Sequence, residues 1–132
     1  MKLQITTADH EHLAVLAVTG EIDIATSTQL RQAIDEVVRA GAIDVVLDLR
    51  QVTFMDSSGL SVVVGRLKML RRVDGRLSVV GADAKIRRIF EVTGLDQVVP
   101  LYDTVEEVPE LGGHRPAPAS RAGRDAGLIV EP

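Results

Sequence analysis

The chain has 132 residues, enough for one domain that buries roughly two thirds of the surface its unfolded chain would expose. Its 15 Lys and Arg against 19 Asp and Glu give a formal charge of -4, which argues against nucleic acid as a direct partner, because phosphate backbones attract basic surfaces. The absence of Cys excludes disulfides, thiolate metal sites and a Cys nucleophile.

The first predicted element is a β-hairpin. Apolar residues recur at every second position on either side of a polar turn, which is the pattern of two half-buried strands. His10 and His12 flank Glu11 in this turn, and we interpret the group as a solvated turn rather than a metal site. The alternating apolar residues are Leu3, Ile5, Leu13, Val15 and Ala17.

A first helix is predicted after residues 20–23. Thr26 and Gln29 have the spacing of a capping box, and apolar residues then follow at helical spacing. Gly41 supplies the end of this helix. The apolar positions are Leu30, Ala33, Ile34, Val37 and Val38.

The next segment predicts alternating strands and helices. Residues 43–49 are apolar at most positions, as expected of a central strand covered on both faces. A second helix follows Asp56, with Leu60, Val63, Val64, Leu67 and Leu70 as its apolar side and Arg66, Arg71 and Arg72 on the opposite face. A turn at Gly75 and a strand at 76–80 are predicted next. A third helix then contains Ile86, Ile89 and Phe90 and ends near Gly94, and a strand at 98–101 follows it. A short last helix is predicted from Asp103 and Glu106 as a capping pair.

This order predicts an α/β fold in one domain, residues 1–111. Strand-helix-strand units imply parallel strands with right-handed crossovers, so the sheet is mixed: an N-terminal hairpin plus parallel strands, packed with about four α-helices. Residues 112–132 are rich in Gly, Pro, Ala and Arg and predict a disordered tail. No apolar run approaches the roughly 20 residues that span a bilayer, and the start lacks a signal-peptide core, so we expect a cytoplasmic protein without a membrane partner.

The segment 56–60, Asp-Ser-Ser-Gly-Leu, carries the most specific signal. It joins a strand to the second helix, where free backbone N–H groups favour Asp, Ser and Gly, so one interpretation is a helix cap alone. The other is that Ser57 receives a phosphate, because helix N-termini accommodate anionic groups.

Residues 54–60, with Val63 and Gly65-Arg66 after them, resemble the phosphorylation motif of the bacterial anti-sigma-factor antagonists of the STAS domain family. Residues 20–23, Gly-Glu-Ile-Asp, match that family's other recurring segment, and the resemblance covers about residues 1–111. It implies the STAS fold and no catalytic activity, cofactor or metal of the chain's own.

The resemblance also implies a partner-switching cycle. The unmodified domain binds an anti-sigma factor that is also a serine kinase and so releases a sigma factor, whose genes, such as those of stress response or sporulation, are then transcribed. Phosphorylation of Ser57 ends the binding, and a PP2C-type phosphatase restores it. ATP and metal belong to the partners. We expect a monomer when the protein is free.

Five residues are the predicted partner-binding set: Asp23, Asp56, Ser57, Ser58 and Gly59. Three roles are open for Asp56: it orients the Ser57 hydroxyl, it contacts the kinase, or it only caps the helix. Asp23 is either near Ser57 or an ordinary turn carboxylate. Ser58 is interpreted as satisfying helix N–H groups, and Gly59 as keeping the approach to Ser57 uncrowded. The arginines at 66, 71, 72, 87 and 88 are interpreted as solvated helix faces, with direct partner contact as the alternative.

Two other functional classes are an enzyme and a different regulatory use of the same fold. A serine hydrolase or nucleotide-binding enzyme is disfavoured, because the sequence lacks Gly-x-Ser-x-Gly and Gly-x-x-x-x-Gly-Lys-Ser/Thr and places none of its three His residues as a base. The alternative that stays open is another use of the same fold, as a regulatory subunit of a membrane transporter or of a stress-signalling complex.

Overall fold

The computed structural model describes residues 3–109, and the predicted tail, 112–132, lies outside this range. The strands are β1 Gln4–His10, β2 Leu13–Ile22, β3 Asp44–Met55, β4 Arg76–Val80 and β5 Leu101–Tyr102. The α-helices are α1 Ser27–Arg39, α2 Ser57–Arg71 and α3 Ala84–Val92, and 3₁₀ helices span Leu95–Gln97 and Val105–Glu107. No helix among the described residues is long and apolar enough to cross a bilayer.

The strands form one sheet in the order β1-β2-β3-β4-β5. β1 and β2 pair antiparallel and all other neighbours pair parallel, which confirms the predicted mixed sheet. β3 is the middle strand, also as predicted, and its residues 44–49 are buried. The carboxyl ends of β2 and β3 therefore lie side by side at one edge of the sheet.

The two faces of the sheet are covered differently. On one face, alternate residues such as Leu47 pack with buried residues from all three α-helices, for example Leu30, Leu67 and Phe90. The other face carries a smaller cluster, in which Leu13, Val15, Val46 and Val80 pack with Val108. Residues 13–16 of β2 are buried on both faces, so the prediction of a half-buried strand was wrong there, because this part of β2 lies between β1 and β3 and contributes to both clusters.

Two elements near residue 100 differ from prediction. The fourth helix is only a three-residue 3₁₀ helix, since Pro109 has no N–H to bond the Val105 carbonyl and so cannot extend it. The expected capping pair is also wrong: Glu107 Oε1, not Glu106, accepts from the Asp103 N–H at 2.9 Å. β5 begins at Leu101 rather than at residue 98, because residues 95–97 form a 3₁₀ turn.

The helix ends agree with the sequence signals. Gly41 and Gly94 lie just beyond α1 and α3 with φ of 112° and 77°, a region that suits glycine. β4 spans the predicted residues, and the hairpin turn is confirmed, with Glu11 at φ 58°. The turn and helix-end signals in the sequence therefore locate the ends of α1 and α3 and the hairpin.

Candidate phosphorylation and partner-binding site

Ser57 is the first residue of α2, and only Asp56 separates it from Met55, the last residue of β3. Its side chain is exposed, and within residues 3–109 its hydroxyl makes no hydrogen bond. The hydroxyl is therefore accessible from solvent without opening the fold.

Asp56 is the N-cap of α2. Its backbone is extended, at φ -109° and ψ -169°, and its Oδ1 accepts a hydrogen bond from the Ser58 N–H at 2.8 Å. The prediction that Ser58 satisfies helix N–H groups was wrong, because Asp56 supplies the acceptor and Ser58 the donor. Of the roles left open for Asp56, the structure shows the cap.

Replacing Asp56 tests that cap. Asp56→Ala is expected to lower the free energy of unfolding by about 1 kcal/mol, since it removes the acceptor, whereas Asp56→Asn retains an acceptor and stays within a few tenths of wild type. Urea unfolding of the three proteins measures this. Equal stability of the Ala variant and wild type would contradict the cap.

Gly59 lies on the buried side of α2, where the helix meets the ends of β2 and β3. A Cβ there would lie 2.7 Å from Ile22 Cγ2 and 2.9 Å from Met55 Cγ, both in buried side chains. The glycine thus allows α2 to pack closely on the strands. This corrects the expectation that it keeps the approach to Ser57 open.

Asp23 follows the end of β2 beside the start of α2. Ile22 pairs with Met55, and the Asp56 N–H donates to the Ile22 carbonyl at 3.2 Å, so Asp23 and Ser57 follow neighbouring strand ends. The Asp23 Oδ1 accepts from the Ala25 and Thr26 N–H groups at 2.9 and 3.1 Å. Asp23 therefore shapes the loop that leads into α1.

The capping box predicted for α1 was wrong. Thr26 is the N-cap, but its hydroxyl donates to the Glu21 carbonyl at 2.7 Å and accepts from the Asp23 N–H at 2.9 Å. Gln29 Nε2 donates to the Leu3 carbonyl at 2.6 Å. These two contacts attach the start of α1 to β2 and to the residue that precedes β1.

Two of the predicted solvated arginines form ion pairs. Arg66 of α2 pairs through Nη1 with Asp35 of α1, and its side chain is only 22% exposed. Arg87 pairs with Asp103 at 3.2 Å. Sequence reasoning had no signal for the first pair, because its partners are 31 residues apart on different helices. The other three of the five, Arg71, Arg72 and Arg88, are exposed as predicted.

Two apolar side chains are exposed at the same edge as Ser57. Ile24, in the loop after β2, is 82% exposed, and Phe54, near the end of β3, is 47% exposed. Phe54 pairs in register with Glu21, three residues before Ile24. Exposed apolar patches rimmed by polar residues are typical of binding surfaces. Ile24 was not singled out from the sequence, although an apolar residue in a polar turn is a usable signal.

The described residues include no group of three or more His, Asp and Glu side chains placed to hold a metal ion. The site is built instead from a hydroxyl, two carboxylates and exposed apolar side chains. Such a surface can accept a phosphate and contact a protein.

Comparison with known proteins identifies the family of the chain. The sequence profile of the STAS domain matches residues 4–108. An anti-sigma F factor antagonist of Paenibacillus polymyxa is 34% identical over 113 residues, which covers 84% of this chain and 97% of that protein. These matches span nearly all of the described fold.

Solved structures show the same fold. The crystal structure of an anti-sigma factor antagonist from Mycobacterium paratuberculosis superposes with a TM-score of 0.72 at 36% identity, covering 79% of this chain and 88% of that one. The Bacillus cell fate determinant SpoIIAA in its phosphorylated form superposes with a TM-score of 0.63 at 27% identity, covering 79% and 95%. The profile match and the full-length relative together establish that the chain belongs to the STAS domain family.

Proposed function

We propose that this protein is an anti-sigma factor antagonist switched by phosphorylation of Ser57. In its unmodified form it binds an anti-sigma factor with serine kinase activity, which frees a sigma factor in the cytoplasm, where transcription takes place. The exposed, unbonded Ser57 hydroxyl at the start of α2 carries the proposal. The names of its relatives, and a phosphorylated neighbour of the same fold, support it.

The chemical step uses only the Ser57 hydroxyl of this chain. Its Oγ attacks the γ-phosphorus of ATP held by the kinase, the O–P bond to serine forms, the bond to ADP breaks, and the hydroxyl proton passes to a base of the kinase. In-line attack needs an accessible oxygen. A PP2C-type phosphatase later hydrolyses the phosphoserine and restores the hydroxyl.

A phosphate at Ser57 is compatible with the helix but weakens binding to the partner. Ser57 lies at the positive end of the α2 helix dipole, which favours an anion. The phosphate adds about -1.5 to -2 charges next to Asp56, in a chain already at -4. Loss of about 1.4 kcal/mol of interaction weakens binding tenfold, so the switch needs no refolding.

The proposed contact area, which we call the Ser57 surface, consists of Asp23, Ile24, Phe54, Asp56 and Ser57. The carboxylates and the hydroxyl are its polar groups, and the two exposed side chains provide apolar area that a partner buries on binding. Ser58, half-buried, lies beside it, and the buried Gly59 supports it from below.

Truncating Phe54 tests this surface. Phe54→Ala is expected to weaken anti-sigma factor binding about tenfold or more, because aromatic anchors carry a large share of interface energy. Val92→Ala, at a 72% exposed apolar residue of α3, is the control and should bind as wild type does. Calorimetric titration measures both. Equal affinity of the two variants would show that Phe54 is not part of the interface.

Capture from native cells tests the function itself. Unmodified full-length protein serves as bait, with Ser57→Asp as the matched bait that should fail to bind. The captured protein is then purified and assayed for ATP-dependent phosphorylation of the wild-type chain and of Ser57→Ala. Phosphorylation of wild type only supports the proposal. Capture of a membrane transporter or a large stress-signalling complex, without such a kinase, would favour those uses of the fold.

A further inference from the structure

A groove of about 420 Å³ runs between α1 and α2, beside the Ser57 surface. α1 contributes Ser27, Thr28 and Arg31 to its walls, and α2 contributes Ser58, Ser61, Val62, Gly65 and Arg66. The groove is therefore lined by two guanidinium groups and four hydroxyls, with no carboxylate among its lining residues. This is an unusual composition in a chain whose net charge is -4.

The two arginines differ in how they are held. Arg66 is fixed by Asp35, but its Nε is buried and has no hydrogen-bond partner among the described residues. A buried N–H without an acceptor costs free energy, which an acceptor from outside would recover. Arg31 is exposed and forms no ion pair within the described part of the chain, so its charge is uncompensated.

The groove adjoins Ser57. Ser58, which lines the groove, is the next residue in the chain. Ser61, which also lines it, follows Ser57 by four residues, so Ser57 and Ser61 lie on the same side of α2. A protein that covers Ser57 therefore also lies over the mouth of the groove.

We propose that the groove binds an acidic side chain, Asp or Glu, of the anti-sigma factor, with Arg31 as its main contact. The inference rests on the proposed function and deepens it. A carboxylate matches the guanidinium charge and the hydroxyl donors. A phosphate on Ser57 places negative charge at the mouth of the same groove and repels that side chain, so the groove makes the partner sensitive to phosphorylation.

Charge reversal at Arg31 tests the inference. Arg31→Glu in the full-length protein is titrated against the purified anti-sigma factor kinase that wild type captures. Arg88→Glu is the matched control, because Arg88 is also exposed and is also the fifth residue of its helix. Arg31→Glu should bind at least tenfold more weakly than wild type, and Arg88→Glu within about threefold of it. The loss should shrink as salt is raised, since the pair is partly exposed.

The outcomes separate the two proposals. Equal affinities of the two variants, with wild-type binding intact, would overturn the groove's role alone. Absence of wild-type binding to any anti-sigma factor would overturn the proposed function and the groove's role with it. Titration of the free protein with inorganic phosphate, followed by amide NMR, is the second measurement. Saturable shifts in the groove together with equal affinities of the variants would reassign it to a small anion.

Discussion

Ser57→Asp is expected to reduce affinity for the anti-sigma factor about a hundredfold or more, whereas Ser57→Ala retains wild-type affinity. The aspartate places a fixed charge where the partner meets a small neutral hydroxyl, next to the Asp56 carboxylate. Juxtaposed like charges or an unpaired charge at an interface cost several kcal/mol, and each 1.4 kcal/mol or so is tenfold in affinity. Alanine removes only the hydroxyl. Calorimetric titration of the unphosphorylated variants measures both effects.

A control for net charge is available far from the site. Gln97 is exposed and precedes β5, so it lies at the amino-terminal edge of the parallel strands, opposite Ser57. Gln97→Asp should bind as wild type does. Circular dichroism should show the same fold for all variants. Binding of Ser57→Asp at wild-type affinity would show that a charge at this position does not block the partner.

Gly59→Ala is expected to lower the free energy of unfolding by about 1–3 kcal/mol, the usual cost of overpacking a core. The added methyl would lie 2.7 Å from Ile22 Cγ2 and 2.9 Å from Met55 Cγ. Both neighbours are buried, Ile22 at 0% and Met55 at 3% exposure, so neither can move aside into solvent. The helix must shift outward, which also displaces Ser57.

Gly65 provides the matched control on the same helix. A Cβ at Gly65 meets no atom within 4 Å, so Gly65→Ala should gain roughly 0.5–1 kcal/mol from the better helix propensity of alanine. Urea unfolding of both variants gives the comparison. Equal stability changes for the two substitutions would refute close packing at Gly59. Reduced kinase binding by Gly59→Ala would show that the position of α2 sets the position of Ser57.

Local patterns were sufficient for most of the fold. The alternation around residues 9–11, the apolar run at 43–49 and the glycines at 41 and 94 each predicted an element that the structure contains. Pro109 limits the last helix to one 3₁₀ turn, and the 3₁₀ turn at 95–97 delays the start of the last strand; neither follows from the apolar spacing used to predict these elements. The burial of residues 13–16 on both faces of the sheet depends on neighbours distant in sequence, which a period of two does not reveal.

The site was predictable in part. The motif at 56–60 located Ser57 at the start of a helix, as the structure shows, because helix caps are encoded locally. Which side chain caps was not settled by type alone, since Asp56 and Ser58 are both good acceptors. The Asp35–Arg66 pair and the groove beside Ser57 come from the packing of α1 on α2, so no segment read by itself contained them.

The most direct test of the central claim is intact-mass analysis of the protein taken from its native cells, with fragmentation to locate any phosphate and a Ser57→Ala strain as control. The account predicts a single added phosphate on Ser57 that varies with growth condition and is absent from the Ala strain. A phosphate on another residue, or no phosphate under any condition, would contradict it.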